Sequence, residues 1–375
     1  MAARIVLFGA TGYTGRLTAR RLVELGARPV LAGRSAERLE ALAAELDGGL
    51  DTAVADVARP DTVRALLEPG DVLISTVGPF ARWGRPAIEA AIGAGASYID
   101  STGEPQFVRE VFDEYGPRAA AGGAGLVTAF GYDYVPGNLA GALALREAGE
   151  GAARVDIGYY AFGAGAGAAS AGTKASLAGA AIAPSFAWRD GRLRDDRAAS
   201  RVRSFDVRGR QRSGVSLGGS EHYGLPRVAP GLREVNVYFG WFGPLSRPMQ
   251  AATALSGLVT RLPGAAGALS TASTRLTARF ASGDPSPEEE TKGESYVLAI
   301  AYDGLDEPLA EVRLTGPNGY VFTAGTLAWG AMRAAKKGLL ESGALGPVDA
   351  FGLEQLEKGC AEAGLVRAGA GPVTA

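Results

Sequence analysis

The sequence has almost none of the residues from which disulfides and metal centres are built. Among its 375 residues there is one cysteine, Cys360, and one histidine, His222. A single cysteine excludes an intrachain disulfide, and it excludes a zinc site made of several cysteine ligands. We therefore expect no bound metal ion and no covalent cross-link within the chain.

Long apolar runs and a strong charge of one sign are lacking as well. No run of about eighteen apolar residues occurs, so no transmembrane helix is expected, and the N-terminus has the pattern of a strand rather than of a secretion signal. The 38 Lys and Arg residues nearly balance the 40 Asp and Glu residues, and they form no basic stripe that would suit nucleic acid. These absences favour a cytoplasmic protein whose partner is a small molecule.

Glycine, in contrast, is abundant, with 55 residues, and the first glycines are regularly spaced. The apolar run Ile5–Phe8 leads into Gly9-Ala10-Thr11-Gly12-Tyr13-Thr14-Gly15, and a segment with helical periodicity follows over 16–25. Strand, glycine turn and helix in this order are typical of the opening of a dinucleotide-binding βαβ unit. The alternative is an ordinary tight turn between a strand and a helix.

Each glycine of this motif has a physical role in such a unit. Gly9 lets the chain turn sharply after the strand, Gly12 leaves room for a pyrophosphate, and Gly15 lets the helix pack closely on the sheet. The helix N-terminus then offers free N–H groups and a partial positive charge to the phosphates. We assign the whole motif, residues 9–15, to cofactor binding.

The residues after the second strand indicate which cofactor is bound. The strand covers 29–32 and leads into Gly33-Arg34-Ser35. An NAD site would place an Asp or Glu here to accept a hydrogen bond from the ribose 2′-hydroxyl, whereas the guanidinium of Arg34 would attract the 2′-phosphate of NADP. The alternative is a solvated arginine at the start of a helix. We predict NADP, bound by Arg34 and Ser35.

Strands and helices alternate regularly up to Phe130. Six short apolar segments, separated by segments with helical periodicity, predict a Rossmann-type, doubly wound parallel sheet. Right-handed crossovers fix most of its topology. The predicted strands cover 5–8, 29–32, 52–55, 71–77, 97–100 and 125–130.

The ligand of such a sheet lies beyond the carboxyl ends of the strands. We therefore assign the residues after the third and fourth strands to the cofactor and those after the fifth and sixth to the substrate. Gly, Pro, Asp and Ser are common in turns of any protein, which is the alternative explanation. The cofactor residues are Asp56, Val57, Thr76, Val77, Gly78, Pro79 and Phe80, and the substrate residues are Ser101, Gly103, Glu104, Asp133 and Tyr134.

The pattern changes after Pro136, where longer alternating strands begin. Strands are predicted over 154–161, 234–241, 294–302 and 310–314, and helices over 322–340 and 347–363. The Arg- and Asp-rich segment 189–219 is expected to be a surface excursion or a dimer contact. We expect an NADP-binding domain (1–135), an inserted mixed α/β domain for substrate and dimerisation (136–320), and helices that return to the first domain (321–375).

Five motifs together resemble one known family. They are Gly9–Gly15, Gly33-Arg34-Ser35, Thr76–Phe80, Tyr98–Glu104 and Gly131–Pro136. In combination they look like the saccharopine dehydrogenase-like reductases, and in particular the trans-acting enoyl reductases of lipid and polyketide assembly. The resemblance covers about the first 140 residues and is thinner afterwards, where it depends on 170–176 and on the two final helices.

This resemblance implies a Rossmann domain for NADP, an inserted mixed α/β domain and C-terminal helices that return to the first domain. It also implies hydride transfer from NADPH to a C=C or C=N bond. Saccharopine itself is not implied as the substrate, because the chain lacks an obvious cluster of arginines placed for an amino acid with several carboxylates.

The proton that accompanies the hydride has three candidate donors. No tyrosine is followed four residues later by a lysine, which disfavours a ketoreductase of the short-chain dehydrogenase type. The candidates are Tyr132, Lys174 and His222, in that order. A water molecule is the alternative donor, a lone histidine is more often structural than catalytic, and Lys174 is equally consistent with a solvated surface position.

The favoured function is an NADPH-dependent reductase that acts on an activated C=C bond of a polyketide- or lipid-like intermediate, free or bound to a carrier protein. An imine reductase is the alternative enzyme, and a protein that senses NADP without turning it over is the alternative of another class. We expect a homodimer. Segment 249–262 is amphipathic, and core packing is favoured over contact with a carrier protein or a membrane surface.

Replacement of Arg34 by alanine tests the choice of cofactor. We expect Arg34→Ala to weaken NADPH binding far more than NADH binding, by about 1.5–3 kcal/mol, because a hydrogen bond to a charged group is lost. Calorimetric titration with both cofactors measures the difference. Equal losses for NADPH and NADH would contradict the NADP assignment.

Overall fold

Strands and helices alternate through the first third of the chain. The computed structural model describes residues 3–46, 48–163, 184–259 and 293–369. The first elements are β1 (Ile5–Phe8), α1 (Tyr13–Glu24), β2 (Val30–Gly33), α2 (Ala36–Leu46), β3 (Thr52–Val54), α3 (Pro60–Arg64), β4 (Val72–Ser75), α4 (Phe80–Trp83), α5 (Arg85–Ala94), β5 (Ser97–Asp100), α6 (Pro105–Glu110), a π-helical turn (Val111–Tyr115), α7 (Gly116–Ala121) and β6 (Gly125–Val127).

Longer strands follow, and short elements end the chain. The middle elements are α8 (Val135–Ala148), β7 (Arg154–Phe162), β8 (Pro184–Arg189), β9 (Arg192–Arg197), β10 (Val202–Val207), β11 (Arg210–Ser216), α9 (Glu221–Val228), β12 (Glu234–Phe239), α10 (Ser246–Val259), β13 (Glu294–Tyr302) and β14 (Pro308–Pro317). The last are α11 (Gly319–Lys337), β15 (Gly343–Ala344), α12 (Pro347–Phe351), α13 (Leu353–Glu362) and β16 (Val366–Arg367).

The first sheet is parallel throughout and has the order β15-β6-β5-β4-β1-β2-β3. Every residue of β1 and of β4 is buried, as expected for continuous apolar strands that are covered on both faces. Phe8 at the end of β1 lies opposite Ala32 of β2 and Ser75 of β4. The predicted doubly wound sheet is confirmed, and its carboxyl ends meet at one edge.

The second sheet is mixed, with the order β10-β11-β12-β7-β13-β14-β16. β7 and β12 are parallel, whereas β13 pairs antiparallel with both β7 and β14. α8 packs on β7, β13 and β14, and its residues from Val135 to Leu145 are all buried. The predicted combination of a Rossmann-type sheet with a second, mixed α/β region is therefore present.

The Arg- and Asp-rich segment contains strands where the sequence analysis expected a surface excursion. β8 and β9 form one hairpin, and β10 and β11 form another. Each hairpin turns through two residues with positive φ, Asp190-Gly191 and Arg208-Gly209, which is the backbone of a type I′ turn. Phe205 and Val207 are buried on one face of β10. The density of charged residues concealed this alternation, so the strands were not predicted, and the dimer contact stays a prediction.

The end of the chain returns to the first sheet. α11 packs against α1, and the rings of Tyr320 and Tyr13 meet edge to face with centroids 4.9 Å apart. β15 adds a seventh strand beside β6, which the sequence analysis missed because two small residues carry no strand pattern. The helix predicted over 347–363 is broken into α12 and α13 by Gly352, whose φ is +77°. No helix in the described ranges is long and apolar enough to cross a membrane.

Candidate cofactor and substrate site

The glycine turn between β1 and α1 is held at its base and open at its tip. Gly9 has φ +90°, and its N–H donates to the carbonyl oxygen of Ala32 at 2.9 Å. The Thr76 hydroxyl, after β4, lies 3.2 Å from the Gly9 carbonyl oxygen and donates to it. Gly12 is the N-cap of α1, is exposed, and has no side chain with which to cap the helix. The first N–H groups of α1 are thus available to an anion.

Two guanidinium groups stand beside this turn. Arg34, at the end of β2, is exposed, and none of the carboxylates that the structure describes forms an ion pair with it. Arg38, one turn into α2, donates from its guanidinium to the carbonyl oxygen of Thr11 at 3.2 Å, and its N–H donates to the Ser35 hydroxyl oxygen. This arrangement suits a 2′-phosphate. Arg38 lies four residues after Arg34 in the sequence, and the same charge argument for a 2′-phosphate applies to it.

The loop after β3 is shaped by its own side chains. One carboxylate oxygen of Asp56 accepts from the N–H of Ala58 at 3.0 Å, and the N–H of Asp56 donates to the Thr62 hydroxyl at 3.0 Å. Val57 is partly buried next to them, and Val54 at the end of β3 is exposed. Asp56 therefore stabilises a turn whose apolar neighbours can border an adenine ring.

The loop after β4 is fixed by a carboxylate from the loop after β5. Phe80 and Ala81 begin α4, and their N–H groups donate to the two carboxylate oxygens of Glu104, at 2.8 and 3.0 Å. Glu104 is buried. Glu104 was predicted to bind the substrate, which stays a prediction, and in the structure both of its oxygens accept hydrogen bonds at the start of α4. The preceding residues Thr76, Val77, Gly78 and Pro79 line the same edge and are partly or fully exposed.

Asp133, after β6, lies against the loop after β5. A Cβ built on Gly103 would lie only 2.4 Å from Oδ2 of Asp133, so the carboxyl group rests on the glycine. Asp133 is partly buried, and within the described ranges no hydrogen-bond donor contacts its carboxyl group. Burial raises the pKa of Asp133 to about 6. Ser101 is partly buried in the same loop as Gly103.

The two tyrosines beside Asp133 use their hydroxyl groups to join the two sheets. The Tyr132 hydroxyl donates to the carbonyl oxygen of Tyr160 in β7 at 3.1 Å. The Tyr134 hydroxyl lies 3.1 Å from two carbonyl oxygens, those of Gly103 and Gly218. Burial raises the pKa of both phenols above their ordinary value. Both hydroxyl groups are therefore engaged by carbonyl oxygens and are poorly suited to give up a proton.

Of the other two predicted proton donors, the structure describes only His222, and it does not bring that residue to this edge. Lys174 lies outside the described residues. His222 is buried, its Nδ1 is 3.1 Å from the Gly219 backbone, and it lines a small cavity of the second region with Arg189 and Asn236. Burial lowers the pKa of His222 to about 4, so it is neutral at physiological pH.

Glu221, next to His222, is a buried acid that the sequence analysis did not assign. Its Oε1 accepts from the Tyr159 hydroxyl at 2.6 Å, and the Tyr159 hydroxyl oxygen accepts from the N–H of Gly137. Burial, with a smaller contribution from the charge of Asp133, raises the pKa of Glu221 to about 8. Only its position beside the single histidine marked it in the sequence, and that signal is weak.

Comparison with known proteins agrees with this geometry. Residues 5–127 match the family model of the saccharopine dehydrogenase NADP binding domain. The chain is 44% identical over 140 residues to a Mycobacterium tuberculosis protein named as a trans-acting enoyl reductase, a match that covers 36% of this chain and 33% of the relative. A trans-acting enoyl reductase of Mycobacterium leprae is 43% identical over 140 residues, 36% of this chain and 34% of the relative. The chain thus spans about a third of the length of these relatives.

A solved structure has the same architecture over nearly the whole chain. It is the saccharopine dehydrogenase (L-Glu forming) of Saccharomyces cerevisiae, with a TM-score of 0.58, 13% identity, and coverage of 95% of this chain and 96% of that one. At this identity the likeness concerns the fold alone. The comparisons confirm the predicted resemblance, the fold class and the prediction of NADP as cofactor.

Two glycines of the turn have different roles that mutation can separate. A Cβ on Gly12 would meet only the Gly9 carbonyl oxygen, at 3.3 Å, whereas a Cβ on Gly15 would lie 2.1 Å from that oxygen. We expect Gly12→Val to fold but to lose both NADPH and NADH, because the side chain occupies the space of the pyrophosphate. Gly15→Ala should instead lower the melting temperature. Thermal melts and cofactor titrations measure both effects, and a Gly12→Val protein with unchanged affinity would contradict phosphate binding at this turn.

Proposed function

We propose, on the premise that residues 5–127 belong to the saccharopine dehydrogenase NADP-binding domain family, that this chain is an NADPH-dependent reductase. The observation that carries the proposal is the position of Asp133, a partly buried carboxyl group at the same sheet edge as the glycine turn and Arg34. A dinucleotide site and a proton-holding group on one edge are the two parts that a reductase needs.

The residues of this edge fit NADP. The open N-terminus of α1 suits the pyrophosphate, since Gly12 is exposed and the first turn carries no acidic residue. Arg34, with Arg38 and Ser35 beside it, suits the 2′-phosphate. The loops that begin at Asp56 and Thr76 border the adenine and the nicotinamide ribose. When bound, NADPH supplies a hydride, and the chain supplies orientation and the proton.

Asp133 is the group we assign to the proton. Its raised pKa of about 6 leaves part of the carboxyl groups protonated near neutral pH, where a general acid works best. The Asp133 carboxyl group is partly buried, and it rests on the backbone at Gly103. Tyr132, Lys174 and His222 remain the donors proposed from the sequence, and the variants below compare all four groups.

The favoured substrate is an activated C=C bond of a polyketide- or lipid-like intermediate, either free or bound to a carrier protein. The names of the mycobacterial relatives support this choice. Reduction of such a bond places the hydride on the β carbon and a proton on the α carbon, so a carboxylic acid near the α carbon completes the reaction. We also propose a cytoplasmic homodimer with the domain division given above.

An imine reductase is the second candidate, and one observation favours it. The carboxyl group of Asp133 has no cation beside it within the described residues, and its pKa is shifted only by burial. Above a pH of about 6 it carries a charge that would attract a protonated imine. A protein that senses NADP without turning it over is the remaining alternative, and it has no use for an acid at the substrate edge.

The oxidation of NADPH in the presence of two small substrates distinguishes these functions. We expect NADPH to be oxidised in the presence of a short enoyl thioester and hardly at all in the presence of a cyclic imine. The loss of NADPH absorbance measures this oxidation. If NADPH is oxidised with the imine and not with the enoyl thioester, the protein is an imine reductase rather than an enoyl reductase. Tight binding of NADPH without oxidation by any activated C=C or C=N compound would contradict the enzyme and favour the sensor.

Single-turnover hydride transfer with saturating NADPH tests the proton donor. We expect Asp133→Asn to lower the rate by roughly 10²–10⁴-fold with cofactor affinity intact, as for loss of a general acid. The comparison variants are Tyr132→Phe, Lys174→Met and His222→Ala. If one of these shows the larger loss, that residue takes the role. If all four stay within a factor of about three, below the range for a general acid, catalysis depends on positioning and on water.

A further inference from the structure

Asp100, at the end of β5, joins two loops through one buried side chain. Its Oδ1 accepts from the N–H of Thr102 at 2.8 Å and from the N–H of Ala129 at 2.9 Å. Its Oδ2 accepts from the Thr128 hydroxyl at 2.8 Å. Its main-chain carbonyl oxygen accepts from the N–H of Phe130 at 2.6 Å. The residue is fully buried, so it cannot touch a substrate.

The bond to Ala129 holds the chain in a conformation that it would not adopt unaided. Ala129 has φ +59°, in the left-handed region that residues with a Cβ avoid. Such a residue persists only where its surroundings fix it. Here the buried carboxylate fixes it from one side, and the chain turns so that the segment from Gly131 to Asp133 runs along the sheet edge.

The same carboxylate fixes the partner of Asp133. Thr102 is followed by Gly103, on which the carboxyl group of Asp133 rests. The N–H of Glu104 donates to the Thr102 hydroxyl at 3.2 Å, and the carboxylate of Glu104 caps α4. The loops after β5 and β6 are therefore both hydrogen-bonded to the Asp100 carboxylate. The loop after β4 is hydrogen-bonded in turn to Glu104, in the loop after β5.

We propose that Asp100 is the positioning residue for Asp133: it holds the loops after β5 and β6 at the distance at which the Asp133 carboxyl group meets Gly103. This inference uses the proposed function, since positioning for turnover presupposes a reductase. Its structural part, the attachment of residues 130–134 to Asp100, does not depend on any activity. Burial raises the pKa of the Asp100 carboxyl group, and the side chain of Tyr98, in the same strand, acts in the opposite direction.

Asp71 provides a matched control, because it is the same kind of buried carboxylate at the other end of the sheet. It precedes β4, accepts from the N–H of Glu68 at 2.9 Å, and pairs with the Arg4 guanidinium at 2.6 Å. Its loss removes comparable hydrogen bonds far from the substrate edge. We expect Asp71→Ala to lower the melting temperature and to leave kcat unchanged.

The test compares Asp100→Ala, Asp100→Asn and Asp71→Ala in the full chain. Asp100→Ala should lower kcat by about tenfold to a hundredfold, as for a misplaced reacting group, with the Kd of NADPH changed by less than about threefold. Asp100→Asn should recover most of the rate, because its oxygen can still accept from both N–H groups and its amide can donate to Thr128. A kcat of Asp100→Ala within twofold of the parent would overturn the proposal, as would an equal fall in Asp71→Ala.

Amide hydrogen exchange decides the structural part without any turnover. In Asp100→Ala the amides of residues 130–134 should exchange faster, while those of residues 9–15 keep their rates. Unchanged exchange at 130–134 overturns the proposal even if the parent is an active reductase. If the parent oxidises no substrate, the proposed function fails, and exchange alone decides the role of Asp100. Should Asp100→Ala not fold, Thr128→Val removes one bond to the same carboxylate and carries the same expectation with a smaller effect.

Discussion

Buried carboxylates that accept hydrogen bonds from backbone N–H groups are the constraint on which the substrate edge depends. Glu104 joins the loop after β5 to the start of α4, and Asp100 joins the loops after β5 and β6. A buried charge is costly unless donors surround it, so each carboxylate selects the loop conformation that supplies those donors. The glycine turn and Arg34 occupy the other half of the same edge, where the turn is held by hydrogen bonds to Ala32 in β2 and to Thr76 after β4.

The first sheet was largely predictable from the sequence because its strands are buried on both faces. Continuous apolar runs such as Val72–Ser75, separated by glycines and helical segments, leave little choice of topology. The hairpins over 184–216 were not predicted, since the apolar residues of β10 are diluted by arginine and aspartate. β15 was missed for a different reason: two small residues become a strand only because an edge is available to pair with them.

For the site, the sequence predicted which residues meet at the edge but not which way their side chains point. The carboxyl-edge rule brings Glu104 and Asp133 to the same place, and only the tertiary structure distinguishes a carboxylate that caps a helix from one that rests open on Gly103. Tyr132 was favoured as an acid, yet its hydroxyl is used by a carbonyl oxygen of the second sheet. Glu221 had only a weak sequence signal, its position beside His222, because its burial follows from contacts with Tyr159 and Gly137 that lie far away in the chain.

The edge-to-face contact of Tyr13 with Tyr320 has a consequence for the order of biosynthesis. Domains usually fold as they leave the ribosome, beginning at the N-terminus. Here the helix that supports α1 is α11, and the strand that completes the first sheet is β15, both encoded near the other end of the chain. A nascent chain that has released only its first 127 residues would lack both the helix that packs against α1 and the strand that pairs with the edge of β6. The nucleotide-binding region is therefore contiguous in sequence but is completed only when the final helices have been translated. We expect it to be a poor unit for fusion to another protein by itself.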